Sequence, residues 1–161
     1  VLFVGRFVPK KGFDKLLAAQ CDDYQLVFVG GDLPGESNEK VVFLGKLPQL
    51  QVAEVYQAAD VFVLPSEAEG FPLSVQEAMA TGLPIITSND DGYRRYNFDT
   101  KLMYLLDNPV ADTLHSTIAA LVRDEAQMNA MSAYSRNYSE HNFSWKSFLS
   151  GLTSLYDSLA V

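Results

Sequence analysis

The chain has one cysteine, two histidines and one tryptophan among 161 residues, and that scarcity excludes several kinds of chemistry. Cys21 has no second cysteine to pair with, so no internal disulfide holds the fold. Such usage fits a reducing compartment, and the expected state of Cys21 is a buried, inert thiol. No group of His, Cys, Asp or Glu has the spacing of a metal site, so no metal and no other cofactor is expected. No run of about 18 apolar residues occurs, so no membrane-spanning helix is expected. The glycine patterns of a dinucleotide fold and of a P-loop are both missing. Positive charge is scarce as well. Twelve Lys and Arg stand against twenty Asp and Glu, a net charge of −8, which argues against a basic surface for nucleic acid. No charged-then-apolar leader is visible. The first residue is not Met and Val1–Val4 already reads as a strand, so the chain is expected to be a piece of a longer polypeptide.

What is present describes one soluble globular domain spanning residues 1–161. Hydrophobic residues make up 48% and charged residues 20%, an ordinary balance for a chain of this length. Short apolar runs at Val1–Val4, Leu26–Val29, Val41–Leu44, Val61–Leu64 and Ile85–Thr87 read as strands covered on both faces. Leu102–Leu105 reads as a last short strand. Between them Gly12–Cys21, Leu50–Ala59 and Leu73–Ala80 carry helical spacing. From Ala111 onward the pattern is helical, with Ser144 a cap before Trp145. Strands alternating with helices predict an α/β fold: a Rossmann-like parallel sheet with helices on both faces, in a single domain. In such sheets ligands bind beyond the carboxyl ends of the strands, near the point where strand order reverses. The loops to read are therefore 5–12, 30–40, 45–49, 65–72 and 88–96.

The first of these, Gly5-Arg6-Phe7-Val8-Pro9-Lys10-Lys11-Gly12, sets cations between glycines. A guanidinium and an ammonium there suit a diphosphate; a solvated basic turn is the alternative. The loop Pro65-Ser66-Glu67-Ala68-Glu69-Gly70-Phe71-Pro72 runs into Leu73-Ser74-Val75-Gln76-Glu77. The start of that helix leaves the Leu73 and Ser74 N–H groups to meet whatever sits above the sheet, and its dipole favours an anion. Two carboxylates beside an anion site make sense if Glu69 and Glu77 accept hydrogen bonds from hydroxyls on either side of a diphosphate, one set on a ribose and one on a hexose.

The string from Pro65 to Pro84 resembles the hallmark of the family 4 retaining GT-B glycosyltransferases, with the eight-residue separation of Glu69 and Glu77 intact. Gly5-Arg6 with Lys11-Gly12, Val42–Gly45, Tyr56–Ser66 and Phe143-Ser144-Trp145 with Tyr156 are similar to other parts of that family, in order along nearly the whole chain. The resemblance implies the C-terminal, donor-binding half of a GT-B fold, transferring a hexose from a nucleotide diphosphate sugar to a hydroxyl acceptor with retained configuration. It places Glu77 on the ribose hydroxyls and Glu69 beside the transferred sugar. Backbone at Gly70 and Phe71 would meet sugar hydroxyls, and Leu73 and Ser74 the distal phosphate. Arg6 and Lys11, beside Gly5, would neutralise the leaving diphosphate without a metal. Lys46 and Leu47 would hold the base, partly through main chain.

The implied partners are the nucleotide-sugar donor and an N-terminal acceptor domain not contained in these residues. The implied location is the cytoplasm, with peripheral attachment of the full-length enzyme to the inner face of a membrane left open. Two departures keep alive a non-catalytic sugar-nucleotide-binding or assembly module as the alternative. Pro72 stands where the family commonly has glycine, and 88–96 replaces a Gly-Gly-x-x-Glu stretch. In that stretch Arg94 and Arg95 are expected to pair with Asp90, Asp91 or Asp99, with added phosphate contacts the alternative. His115, His141, Trp145, Phe148 and Tyr156 read as surface, cap or packing positions, with part of the last helix's apolar face exposed.

Overall fold

The computed structural model describes residues 1–32, 34–67 and 70–159. Its strands are β1 (Leu2–Val4), β2 (Leu26–Val29), β3 (Val41–Gly45), β4 (Phe62–Leu64), β5 (Ile85–Ser88) and β6 (Tyr104–Leu106). The helices are α1 (Phe13–Ala18), α2 (Gln49–Ala58), α3 (Leu73–Ala80), α4 (Ala111–Val122), α5 (Glu125–Asn142) and α6 (Trp145–Leu159). All strands pair in parallel, in the order β3-β2-β1-β4-β5-β6. This is the Rossmann-like order. The chain moves outward from β1 to β3, then returns across β1 to β4 and continues to β6. Right-handed crossovers therefore place α1 on one face and α2 and α3 on the other.

Burial explains why the strands are nearly all apolar. Leu2, Phe3, Phe62, Val63, Leu64, Ile85 and Ile86 are fully buried, because the central strands are covered on both sides. Toward the β2–β3 edge the core is aromatic. Phe28 lies 5.0 Å from Phe13, 5.5 Å from Phe43 and 5.6 Å from Phe3, ring centre to ring centre. Phe7, from the first loop, stacks on Phe13 at 4.7 Å. The loop that carries Arg6 is thus anchored by the ring of the next residue.

The C-terminal helices attach at a few defined points. α5 packs on α3 and α4 packs on α1, and the Arg136 guanidinium on α5 donates to the Ala80 carbonyl at 2.8 Å. That places a cation on the negative end of the α3 dipole. The Ser144 side chain accepts from the Ser147 N–H at 3.2 Å and so caps α6 as expected. Along α6, Trp145, Phe148, Leu149, Leu155, Tyr156 and Leu159 are all exposed. No described helix is long and apolar enough to cross a membrane. Cys21 is half-buried rather than fully buried, because it lies in the turn after α1, where its sulfur accepts the Asp23 N–H at 3.4 Å.

Replacing Phe28 by alanine should remove the ring on which Phe3, Phe13 and Phe43 all pack, at a cost of about 3–5 kcal/mol. Thermal unfolding should show a midpoint lower by roughly 6 °C or more.

Candidate donor-binding site

Strand order reverses between β1 and β4, which meet at Leu2 and Phe62. The loops leaving these strands, 5–12 and 65–72, are joined there by backbone. The Glu67 N–H donates to the Lys10 carbonyl at 2.8 Å, and the Lys15 ammonium meets the Glu67 carboxylate at 2.5 Å. That lysine's hydrogen bond and charge hold the Glu67 carboxyl below the ordinary carboxylate range. Gly12 has φ +70°, and a Cβ on it would lie 2.1 Å from the Pro65 carbonyl oxygen. Only a glycine lets the two backbones close to this distance.

Above this junction the start of α3 is open. Its cap residue is Pro72, and no side chain caps it. The Pro72 carbonyl accepts from the Val75 and Gln76 N–H groups, whereas no acceptor among the described residues meets those of Leu73 and Ser74. Leu73 is 66% exposed, and a Cβ added to Gly70 would touch nothing within 4 Å. Among the described residues, nothing therefore meets the first two N–H groups of α3 or crowds Gly70.

Glu77 lies one turn further along α3, half-buried. The Tyr56 hydroxyl of α2 donates to its carboxylate at 3.1 Å and to the Ser74 carbonyl, also at 3.1 Å. Burial, then the Glu77 charge and hydrogen bond, push the Tyr56 hydroxyl well above its ordinary pKa, so it stays protonated as a donor. Glu77 is thereby pinned between the two helices with acceptor capacity left over. Nothing in the periodicity of Val52, Val55 and Tyr56 revealed this contact, because a tyrosine on a helical face reads as core.

Phe71 and the 88–96 loop form a second aromatic cluster. The Phe71 ring lies 4.5 Å from Tyr96, 5.2 Å from Phe143 and 5.4 Å from each of Tyr93 and Phe98. Tyr93 is buried, its hydroxyl 2.9 Å from the Thr87 hydroxyl. The unusual loop therefore serves as a backing for the turn that carries Gly70. Arg94 pairs with Asp91 at 3.0 Å, as the sequence suggested.

The remaining expected site residues are placed as follows. Arg6 is exposed and Lys11 half-buried in the first loop. The Gly5 N–H is spent on the Val29 carbonyl at 2.9 Å, which leaves Gly5 close backbone approach rather than a donor. Lys46 is exposed with its ammonium 2.7 Å from Asp32, and Leu47 is half-buried against the core. Glu69 lies outside the described residues. Among the described residues no three His, Cys, Asp or Glu side chains group as a metal site.

A single parallel sheet in this order, with helices on both faces and the first loop bonded to the loop before α3 at the switch point, is the Rossmann-like architecture of a GT-B domain. The family model described as "Glycosyl transferases group 1" matches residues 1–138, and the chain belongs to that family. It is 44% identical over 98 residues, 57% of this chain and 26% of the relative, to a GDP-mannose-dependent alpha-mannosyltransferase of Mycolicibacterium smegmatis. It is 30% identical across its whole length to 47% of a phosphatidyl-myo-inositol mannosyltransferase of Mycobacterium leprae. Among solved structures, sucrose-phosphate synthase from Thermosynechococcus elongatus superposes with a TM-score of 0.82 at 30% identity, over 98% of this chain and 44% of that one. The chain thus spans less than half the length of these relatives and has the fold of a C-terminal GT-B domain.

Gly12→Ala should strain the left-handed backbone and push on Pro65, costing about 2 kcal/mol or more. Calorimetry should show a midpoint lower by roughly 4 °C or more.

Proposed function

We propose that this domain holds the nucleoside diphosphate sugar donor of a retaining hexosyltransferase, with the diphosphate resting on the α3 tip. The observation that carries the reading is that no acceptor among the described residues meets the Leu73 and Ser74 N–H groups, at the end of a loop bonded to the one that holds Arg6 and Lys11. A diphosphate there gains two backbone hydrogen bonds and the helix dipole, each favourable to an anion. Glu77, steadied by Tyr56, accepts from the ribose hydroxyls on one side. Glu69 takes the hexose hydroxyls on the other, over the open Gly70–Phe71 turn.

Chemistry follows from the charges. As the bond from the anomeric carbon to the diphosphate oxygen breaks, negative charge grows on that oxygen. Arg6 and Lys11 stabilise it without a metal ion. The acceptor hydroxyl attacks on the same face, and its proton passes to the departing phosphate, so configuration is retained. The acceptor is held by the other half of the full-length enzyme, which we place in the cytoplasm. The mannosyltransferase relatives support a hexose donor. Pro72 does not obstruct this reading: it sits at the cap of α3, and the two donors the diphosphate needs follow it.

Calorimetric titration tests the roles. Glu77→Ala should weaken binding of a nucleoside diphosphate by about 1–3 kcal/mol, the scale for losing charged hydrogen bonds. Glu69→Ala should leave nucleoside diphosphate binding unchanged and weaken only the sugar-bearing donor. Equal losses in both variants would contradict the assignment, and a full-length enzyme that binds donor without turnover would make the domain a non-catalytic module.

A further inference from the structure

We infer that the base subsite of this domain reads guanine, through the Asp32 carboxylate and the Lys46 ammonium. The inference rests on the donor-binding reading above and names which nucleoside diphosphate the site prefers. Asp32 follows the end of β2 and Lys46 the end of β3. The two turns are held together by the Gly30 N–H, which donates to the Gly45 carbonyl at 2.7 Å. The Lys46 ammonium lies 2.7 Å from one Asp32 oxygen.

Position comes first. The diphosphate site lies over β1 and β4, and β2 and β3 stand one and two strands further along the carboxyl edge. That is a displacement of roughly 5–10 Å at the usual strand spacing, the distance that a ribose and a base occupy. α2, whose Tyr56 steadies the proposed ribose ligand Glu77, starts three residues after Lys46. The β2 turn is also locked to the first loop, since a Cβ on Gly31 would lie 2.2 Å from the Phe7 ring. The backbone that carries the pair is therefore fixed relative to the first loop.

Complementarity comes second. Guanine presents adjacent N1–H and N2–H donors, which a carboxylate accepts side by side, and an O6 acceptor next to them, which suits an ammonium. Adenine presents one amino donor beside a bare ring nitrogen. Uracil presents a single N–H between two carbonyls, which a carboxylate repels. The lysine's hydrogen bond and charge keep the Asp32 carboxyl below its ordinary range, so it is ionised at neutral pH. Both side chains are mostly exposed, and such an ion pair adds little to folding. Substitution should therefore act on the ligand and spare the fold.

The test is calorimetric titration of the 161-residue chain and its Asp32→Asn, Lys46→Met and Glu77→Ala variants with GDP, UDP and ADP, with thermal melts as the check on folding. The wild type should bind GDP roughly tenfold or more tighter than UDP or ADP. Asp32→Asn should abolish that preference by weakening GDP alone, and Lys46→Met should reduce it, both with unchanged melting. Glu77→Ala should weaken all three nucleotides alike. Equal binding of the three by the wild type, or a GDP preference that survives Asp32→Asn, overturns the guanine inference while leaving the donor site standing. Failure of the wild type to bind any of the three overturns the donor-binding reading and this inference with it.

Discussion

Everything at the carboxyl face of this sheet depends on two loops meeting backbone to backbone. Gly12 lies against the Pro65 carbonyl with no room for a side chain, and the Glu67 amide reaches the Lys10 carbonyl from the other side. The contact forms where strand order reverses, the one place in a parallel sheet where neighbouring loops diverge and leave a crevice. It ties the loop that carries Arg6 and Lys11 to the loop that leads into α3. Without it, nothing would fix the backbone of one loop relative to the other.

Two aromatic groups hold the surroundings of that crevice in place. On one flank Phe7 ties the first loop into the rings of Phe3, Phe13, Phe28 and Phe43. On the other, Phe71 ties the turn before α3 to Tyr93, Tyr96, Phe98 and Phe143. Each flank spends an apolar residue inside a polar loop to position its neighbours, Arg6 in one case and Gly70 in the other. Rigid placement of this kind matters for catalysis by charge stabilisation, because donors that need no rearrangement stabilise developing charge at least cost.

The 88–96 loop shows how a departure from the family pattern can be absorbed. Its substituted residues do not open onto the crevice as a group. Tyr93 turns inward to Thr87, Tyr96 backs Phe71 and Arg94 is neutralised by Asp91. The Tyr138 hydroxyl of α5 also donates to the Tyr96 carbonyl, so the C-terminal helices help to hold the ring that backs Phe71.

Sequence alone determined the local and the periodic. Apolar runs ended by glycine or proline gave the strands, because a strand covered on both faces must be apolar throughout. The segment Leu73–Ala80 was legible to the residue, because Pro72 starts it and Gly82 follows it. The Glu69–Glu77 spacing and the cations of the first loop pointed to an anion site with hydroxyl-binding carboxylates beside it. Tertiary structure decided what distant residues share. The Tyr56 hydroxyl on Glu77, the Lys15 bond to Glu67, the Asp32 partner of Lys46 and the loss of the Gly5 amide to the sheet all join residues 14 or more positions apart. No periodicity encodes such pairs, since they exist only once the crossovers have brought separate strand ends to one edge.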